Sequence, residues 1–504
     1  MKDYILALMA NYLGLIISIA IQIFLLPFLL NSMGAKLTGV YYLFMTVSNF
    51  VAIGISWLTG AGIYLLATSE SNDNKDDINE VHWAVFSGYA VYATLVVLVI
   101  AIWGMSAGRL WIVGESQILV SQARAACFLL AGYIWVHYVH QADIALYTAM
   151  MQQRLAHLFR VVSQLIFIAG VVVFVLPAPR LDTLMLINLL GVAIVAVGAR
   201  MHLRISGKLK AIKWHVPPRD LMKKILVTKG GSYFIFGIPQ LALVYGDVLI
   251  IGAFLGSEMV SAFIIIWKIP EVMALLLGRI SEISSPYLTR MAGRLGKKGV
   301  APFFLCVSRL QHGLSMIAGV GYAFFGPEMV KLWVGETHTP QDPRLFLLAG
   351  VVLILQVLNK HDMVLHYAFA ELGKLVKAQF AELFFKVSLT LLLFPVMGIA
   401  APLVAALLIQ FSGLTWYYRQ AALKQVDMGW RNWFIQVGRW WGVFAIVISA
   451  AGYLIHPIAE NAGMLQFILS FTLFSVITLL MLGAVEYYLR DKGLFHIYKG
   501  FAGG

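Results

Sequence analysis

Apolar runs of about twenty residues or more, each closed by charge, proline or glycine, recur along the chain from residue 5 to residue 490. A helix needs about 20 mostly apolar residues to cross the hydrocarbon core of a bilayer. The punctuation divides the chain into fourteen such segments. The first seven are expected at 5–30, 38–68, 82–106, 117–148, 158–177, 183–203 and 231–255, and the second seven at 259–288, 301–325, 344–370, 374–394, 398–418, 433–455 and 464–490. The pattern therefore predicts an all-α polytopic membrane protein of about 14 transmembrane helices, with little chain outside the bilayer.

The first run, Ile5 to Leu30, is longer than a signal-peptide core and is followed by Asn31-Ser32-Met33-Gly34 rather than a small-residue cleavage site, so it is expected to stay as the first helix. Composition agrees, with 61% hydrophobic and only 12% charged residues and a mean hydropathy of +0.84. Cys127 and Cys306 both sit inside apolar segments, which argues against a disulfide framework or a thiolate metal site. No G-x-x-x-x-G-K-[ST] phosphate loop is present, so neither ATP nor another cofactor is expected. The loop near Gly326 to Arg344 is too short for a catalytic domain, and the chain is expected to transport rather than catalyse.

Lysine and arginine give the orientation, because they accumulate in short cytoplasmic loops. With the spans above, 25 of these residues fall on the side of both termini and 5 (Lys36, Arg109, Arg180, Lys331 and Arg344) on the other. Both termini are thus expected on the cytoplasmic side of the membrane. This bias accounts for much of the net charge of +13 without nucleic acid as a partner. The basic stretch from Lys208 to Lys229, with Trp214 and the run from Arg219 to Leu226, is expected to link two halves and to include a short helix on an anionic leaflet.

An internal repeat is visible. Met33-Gly34-Ala35-Lys36-Leu37-Thr38-Gly39-Val40-Tyr41 closes the first helix and opens the second, and Leu255-Gly256-Ser257-Glu258-Met259-Val260-Ser261-Ala262-Phe263 does the same between the seventh and eighth. A six-helix unit repeated in the same orientation suits a transporter with a cavity between two lobes. The expected division is 1–203 for the N-terminal lobe, 204–230 for a basic linker, 231–418 for the C-terminal lobe and 419–504 for two further helices and the C-terminus.

Full charges inside the spans must face protein or water, because each is costly in lipid. On helix 8, Lys268, Glu271, Leu275, Arg279 and Glu282 follow the spacing of one helix face. Helix 11 carries Gln379, Glu382 and Lys386 on one stripe, and helix 10 carries Lys360. The candidate anion-binding residues are Arg124, Lys268, Arg279, Arg309, Lys360 and Lys386, since arginine forks and lysine point charges suit phosphate. The candidate ion-coupling carboxylates are Asp143, Asp247, Glu271, Glu282 and Glu382. The competing reading makes Lys268 with Glu271, Arg279 with Glu282, and Glu382 with Lys386 self-neutralising pairs that only hold helices together. No metal site is expected, because His361 and Asp362 are adjacent on a helix and point apart.

Three stretches carry a resemblance: Pro27-Phe28-Leu29-Leu30-Asn31-Ser32-Met33-Gly34 leading into Gly39-Val40-Tyr41, the run from Gly246-Asp247 to Leu255-Gly256, and Pro286-Tyr287-Leu288-Thr289-Arg290. In these the chain resembles the Wzx-type polysaccharide flippases of the multidrug/oligosaccharidyl-lipid/polysaccharide exporter superfamily. The resemblance implies translocation of an undecaprenyl-pyrophosphate-linked oligosaccharide by alternating access, coupled to an ion gradient. Membrane lipids and a polysaccharide polymerase machinery are the implied partners. A lipid II-type flippase and a cation-coupled multidrug antiporter of the same superfamily are the alternatives, and the resemblance assigns no site residue.

Overall fold

The computed structural model describes residues 2–71, 75–106, 117–209, 216–369, 372–459 and 464–488. Among the described residues there are helices and turns but no strand. Twelve helices among the described residues are long and apolar enough to cross a membrane. One of them, 373–425, is broken by a tight turn with Gly398 at φ 50°, and the apolar helix at 14–51 turns at Gly34 into a segment that continues through 53–71. Counted at these breaks, the helices are the fourteen that the apolar pattern predicts. They are α1 (2–33), α2 (35–71), α3 (Lys75–Ser106), α4 (Gln117–Ala149), α5 (153–175), α6 (Leu181–Ile205) and α7 (Gly230–Leu255). The remainder are α8 (257–295), α9 (297–334), α10 (Arg344–Ala368), α11 (Leu372–Met397), α12 (401–425), α13 (430–459) and α14 (Met464–Tyr488).

Two expectations need correction. The run from Arg219 to Leu226 is not a separate surface helix, because 219–229 is helical and continues into α7 without a break; Lys210, Lys213 and Trp214 lie outside the described residues. Arg200 and Arg419, counted with the cytoplasmic loops, are helical residues bonded to buried aspartates, as described below.

The chain forms two compact units, 1–261 and 262–504. In the first, α7 packs on α1 and α2. The two copies of the sequence repeat share their backbone: Gly34 and Gly256 both take a positive φ, 77° and 82°, where a side chain would be strained. They also touch. Ser261 donates its hydroxyl to the Ala35 carbonyl at 2.6 Å, and a Cβ on Gly39 would stand 1.7 Å from the carbonyl oxygen of Ser257. Only a residue without a side chain permits this approach, as at other close helix crossings in membranes.

In the second unit, α8 contains Pro270, which has no N–H to offer the carbonyl four residues earlier, that of Ile266. The hydroxyl of buried Tyr322 on α9 donates to this carbonyl at 2.5 Å, which satisfies it. Helices α13 and α14 pack on α9 through a cluster of Phe325, Phe444, Ile448, Ile455, Phe467, Phe474 and Leu482. They therefore brace the second unit along α9.

Each unit is also fastened by one buried ion pair of the same design. In the first, Arg200 on α6 donates from Nε and Nη2 to both oxygens of Asp143 on α4, at 3.1 and 2.8 Å, and His82 on α3 lies 3.1 Å from the same carboxylate. In the second, Arg419 on α12 donates from Nε to both oxygens of Asp362 on α10, at 2.9 and 2.7 Å, and from Nη2 to His312 on α9 at 2.9 Å. Aspartate and arginine are 57 residues apart in both. Both guanidinium groups lie over aromatic rings, Arg200 over Phe86 and Arg419 over Trp433, each at 4.4 Å.

Candidate functional site

The site is built on α8, whose two faces differ. One face packs inward: Ser281 donates to Gln311 on α9 at 2.5 Å, and Gln311 returns a bond to the Leu277 carbonyl at 3.2 Å. The opposite face carries the predicted stripe. Lys268, buried with 7% of its side chain exposed, bonds to Glu271 at 2.7 Å. Three turns further on, Arg279 bonds through Nη1 to one oxygen of Glu282 at 2.5 Å. The other oxygen of Glu282 accepts from Lys360 on α10 at 2.7 Å.

Two cations thus share one carboxylate, and the group keeps one positive charge. Its side chains are 40%, 41% and 43% exposed for Arg279, Glu282 and Lys360, among neighbours such as Leu275 and Leu276 that are also open. Arg279 commits one of its five N–H donors to Glu282 and Lys360 one of three, so donors remain for another anion. A phosphate, with its several anionic oxygens, can be gripped by such a set without displacing Glu282. Gly278 makes the arrangement possible. A Cβ there would come within 2.6 Å of the Lys360 ammonium and 3.0–3.1 Å of its stem, so glycine lets the lysine lie across α8.

A second polar stripe faces α12. Tyr418 donates to Glu382 on α11 at 3.2 Å, and Lys386, one turn away, is buried. Between α11 and α12 an apolar groove is lined by Ala381, Phe385, Leu389, Ile409 and Leu414, with Lys377 and Glu382 at its rim.

Of the eleven sequence-predicted site residues, eight lie in the second unit, and Arg279, Glu282 and Lys360 are brought into one group. Arg309 is buried on α9 and Arg124 is exposed on α4. Asp247 is half-buried on α7. Asp143 lies in the ion pair with Arg200 and His82. Sequence reasoning missed the functional part of Gly278, since nothing in a single sequence marks a helical glycine as the floor beneath a distant lysine. It also missed Arg419, whose place immediately after the apolar run 398–418 made it look like a loop charge.

The sequence matches no protein-family model. The fold is that of the MOP-superfamily transporters. A lipid II flippase MurJ in an inward closed conformation superposes with a TM-score of 0.70 at 12% identity, over 97% of this chain and 99% of that one. An inward-facing multidrug resistance transporter of the MATE family superposes with a TM-score of 0.64 at 12% identity, over 84% of this chain and 99% of that one. A MOP-superfamily transporter from Pyrococcus furiosus, described as having a binding pocket of reverse polarity, gives 0.61 at 11% identity, over 84% and 96%. In sequence, the chain is 20% identical to the uncharacterized membrane protein EpsK of Bacillus subtilis (strain 168), over 68% of each.

Proposed function

We propose that this chain is a membrane transporter that carries a polyprenyl-diphosphate-linked oligosaccharide, of the undecaprenyl-pyrophosphate type, from the cytoplasmic to the outer leaflet of a bacterial inner membrane. One observation carries the reading: the net-positive, half-exposed group that Arg279 and Glu282 of α8 form with Lys360 of α10. A diphosphate is the part of such a lipid that this group recognises. Lys268 stands eleven residues before Arg279, about 16 Å along the axis at 1.5 Å per residue, and offers a second cationic station. The headgroup passes between the two stations while the halves 1–203 and 231–418 alternate in access, with 419–504 as an added brace. Asp247, Glu271 and Glu382 are the carboxylates proposed for ion coupling, and Lys386 and Arg309 add positive charge in the second unit.

The full-length likeness to a lipid II flippase, 97% of the chain against 84% for the drug transporters, supports a lipid substrate over a drug antiporter. A lipid II-type substrate shares the diphosphate and is the second reading. Complementation separates the two. Bacteria lacking a polysaccharide repeat-unit flippase, and bacteria depleted of their lipid II flippase, are supplied with the wild-type chain or with Arg279→Gln/Lys360→Gln. Surface polysaccharide restored by the wild type and lost in the equally expressed double variant is the expected result. Rescue of the lipid II-depleted strain alone would establish the second reading, and full activity of the double variant would remove these charges from the mechanism.

A further inference from the structure

The ion pair of the second unit contains a histidine whose protonation state its partners dictate. His312 Nδ1 faces the backbone carbonyl of Ser308, which only accepts, so this nitrogen carries the hydrogen. Its Nε2 faces Nη2 of Arg419 at 2.9 Å, and a guanidinium only donates, so Nε2 must present a lone pair. The neutral Nδ1–H tautomer is therefore part of the bonded structure. A second proton would set two donors and two positive charges against one another at that distance.

We propose that His312 is a proton-binding site that governs the docking of α13. The contacts converge on that helix. Arg419 lies 4.4 Å from the ring of Trp433 and 5.3 Å from that of Trp441, and the His312 ring stacks on Trp441 with centroids 3.5 Å apart. Arg419 and His312 thus form one surface on which both indoles rest, 3% and 0% exposed respectively. A proton on His312 ends its bond to Arg419 and moves one ring or the other, and α13 loses part of its seat.

The groups that face His312 are few. Asp362 on α10 neutralises Arg419, and His361 on the same helix stands edge-on with centroids 5.7 Å apart. Ser308 and Arg309 lie about one turn away on α9, and α13 contributes the stacked ring of Trp441. The first unit supplies the control. His82 Nε2 faces the carboxylate of Asp143, where it donates, so a proton there strengthens the bond instead of breaking it.

The test reads helix docking rather than transport, so it stands apart from the proposed substrate. The full chain in lipid nanodiscs carries a cysteine at the buried Val437 of α13, with Cys127 and Cys306 replaced by alanine, and maleimide labelling is timed at pH 7.5 and 5.5. Labelling should speed up about tenfold at the lower pH, a common size for coupling between sites. His312→Gln, which keeps an acceptor for Arg419 and takes no proton, should abolish the change, whereas His361→Gln and His82→Gln should keep it. If His312→Gln does not fold, His312→Asn serves, since it too offers an acceptor and takes no proton, and the change should again vanish. A flat wild-type response, or one that survives in the folded His312 variant, would overturn the proposal, as would its loss in His361→Gln alone.

Discussion

Arg200 and Arg419 each grip a buried aspartate 57 residues earlier in the chain, one in each compact unit. The same kind of ion pair stands on the sixth and twelfth helices, Arg200 on α6 and Arg419 on α12, with aspartate partners on the fourth and tenth. Even the companion histidines come from the third and ninth, although one touches the acid and the other the arginine. The pair ties together helices that are not neighbours in sequence, α4 with α6 and α10 with α12.

Breaking that pair on one side should destabilise the protein strongly. Arg419→Ala leaves Asp362, which is fully buried, without its partner, and about 3–5 kcal/mol is the expected loss. The double variant Arg419→Met/Asp362→Leu should recover most of it, because two apolar groups of similar size need no pairing. Thermal unfolding in detergent, followed by tryptophan fluorescence, checks both. The pair of exposed Arg180 with Asp182 offers a comparison, for which Asp182→Ala should shift the unfolding temperature far less than Arg419→Ala does.

Removing a single hydroxyl should expose the cost of the carbonyl that Pro270 frees in α8. Tyr322→Phe keeps the ring in its buried place but orphans the Ile266 carbonyl that Pro270 has already freed. An unsatisfied buried carbonyl costs about 1–3 kcal/mol. The same substitution at Tyr64, an exposed residue, should be silent in the same unfolding assay.

Filling the floor beneath Lys360 should impair transport more than folding. Gly278→Val drives side-chain atoms into the lysine stem and should separate Lys360 from Glu282. Because the lysine end is flexible, the chain should still reach the membrane at normal levels. Complementing activity should nevertheless fall about tenfold or more, a loss of about 1.4 kcal/mol of headgroup binding.

The helices and the charged stripe are legible in the sequence because both depend on near neighbours along the chain. Apolar runs of membrane length announce α1 to α14, and spacing alone places Lys268, Glu271, Arg279 and Glu282 on one face of α8. The pairs within that stripe follow from the same spacing, as the distances of 2.7 and 2.5 Å bear out. What depends on packing is not legible in this way. Lys360 reaches Glu282 from 78 residues away, and no local pattern distinguishes it from the other five candidate cations. Arg200 and Arg419 are hidden for a further reason: a charge at the edge of an apolar run ends the run, whether it lies in a loop or in a buried ion pair. The glycine turns at 34 and 256 fall between these cases, since the repeat marks them but only the backbone explains why glycine is needed.

Removing the negative member of the cationic group should separate binding from release. Glu282→Gln leaves Arg279 and Lys360 without their shared counter-charge, so the group should hold a diphosphate more tightly and let it go more slowly. Proteoliposomes loaded with a fluorescent polyprenyl-diphosphate sugar should show a lower turnover for this variant at saturating lipid, together with a lower half-saturating concentration.

The central claim, that Arg279 and Lys360 bind the anionic headgroup, is tested most directly by equilibrium binding of a polyprenyl diphosphate to the full chain in nanodiscs. The same lipid with a neutral alcohol headgroup serves as reference. The account predicts that the wild type prefers the diphosphate at least about tenfold, and that Arg279→Gln/Lys360→Gln loses this preference while its affinity for the alcohol is unchanged. An undiminished preference in the double variant would contradict it and would reduce the charged face of α8 to a set of structural pairs.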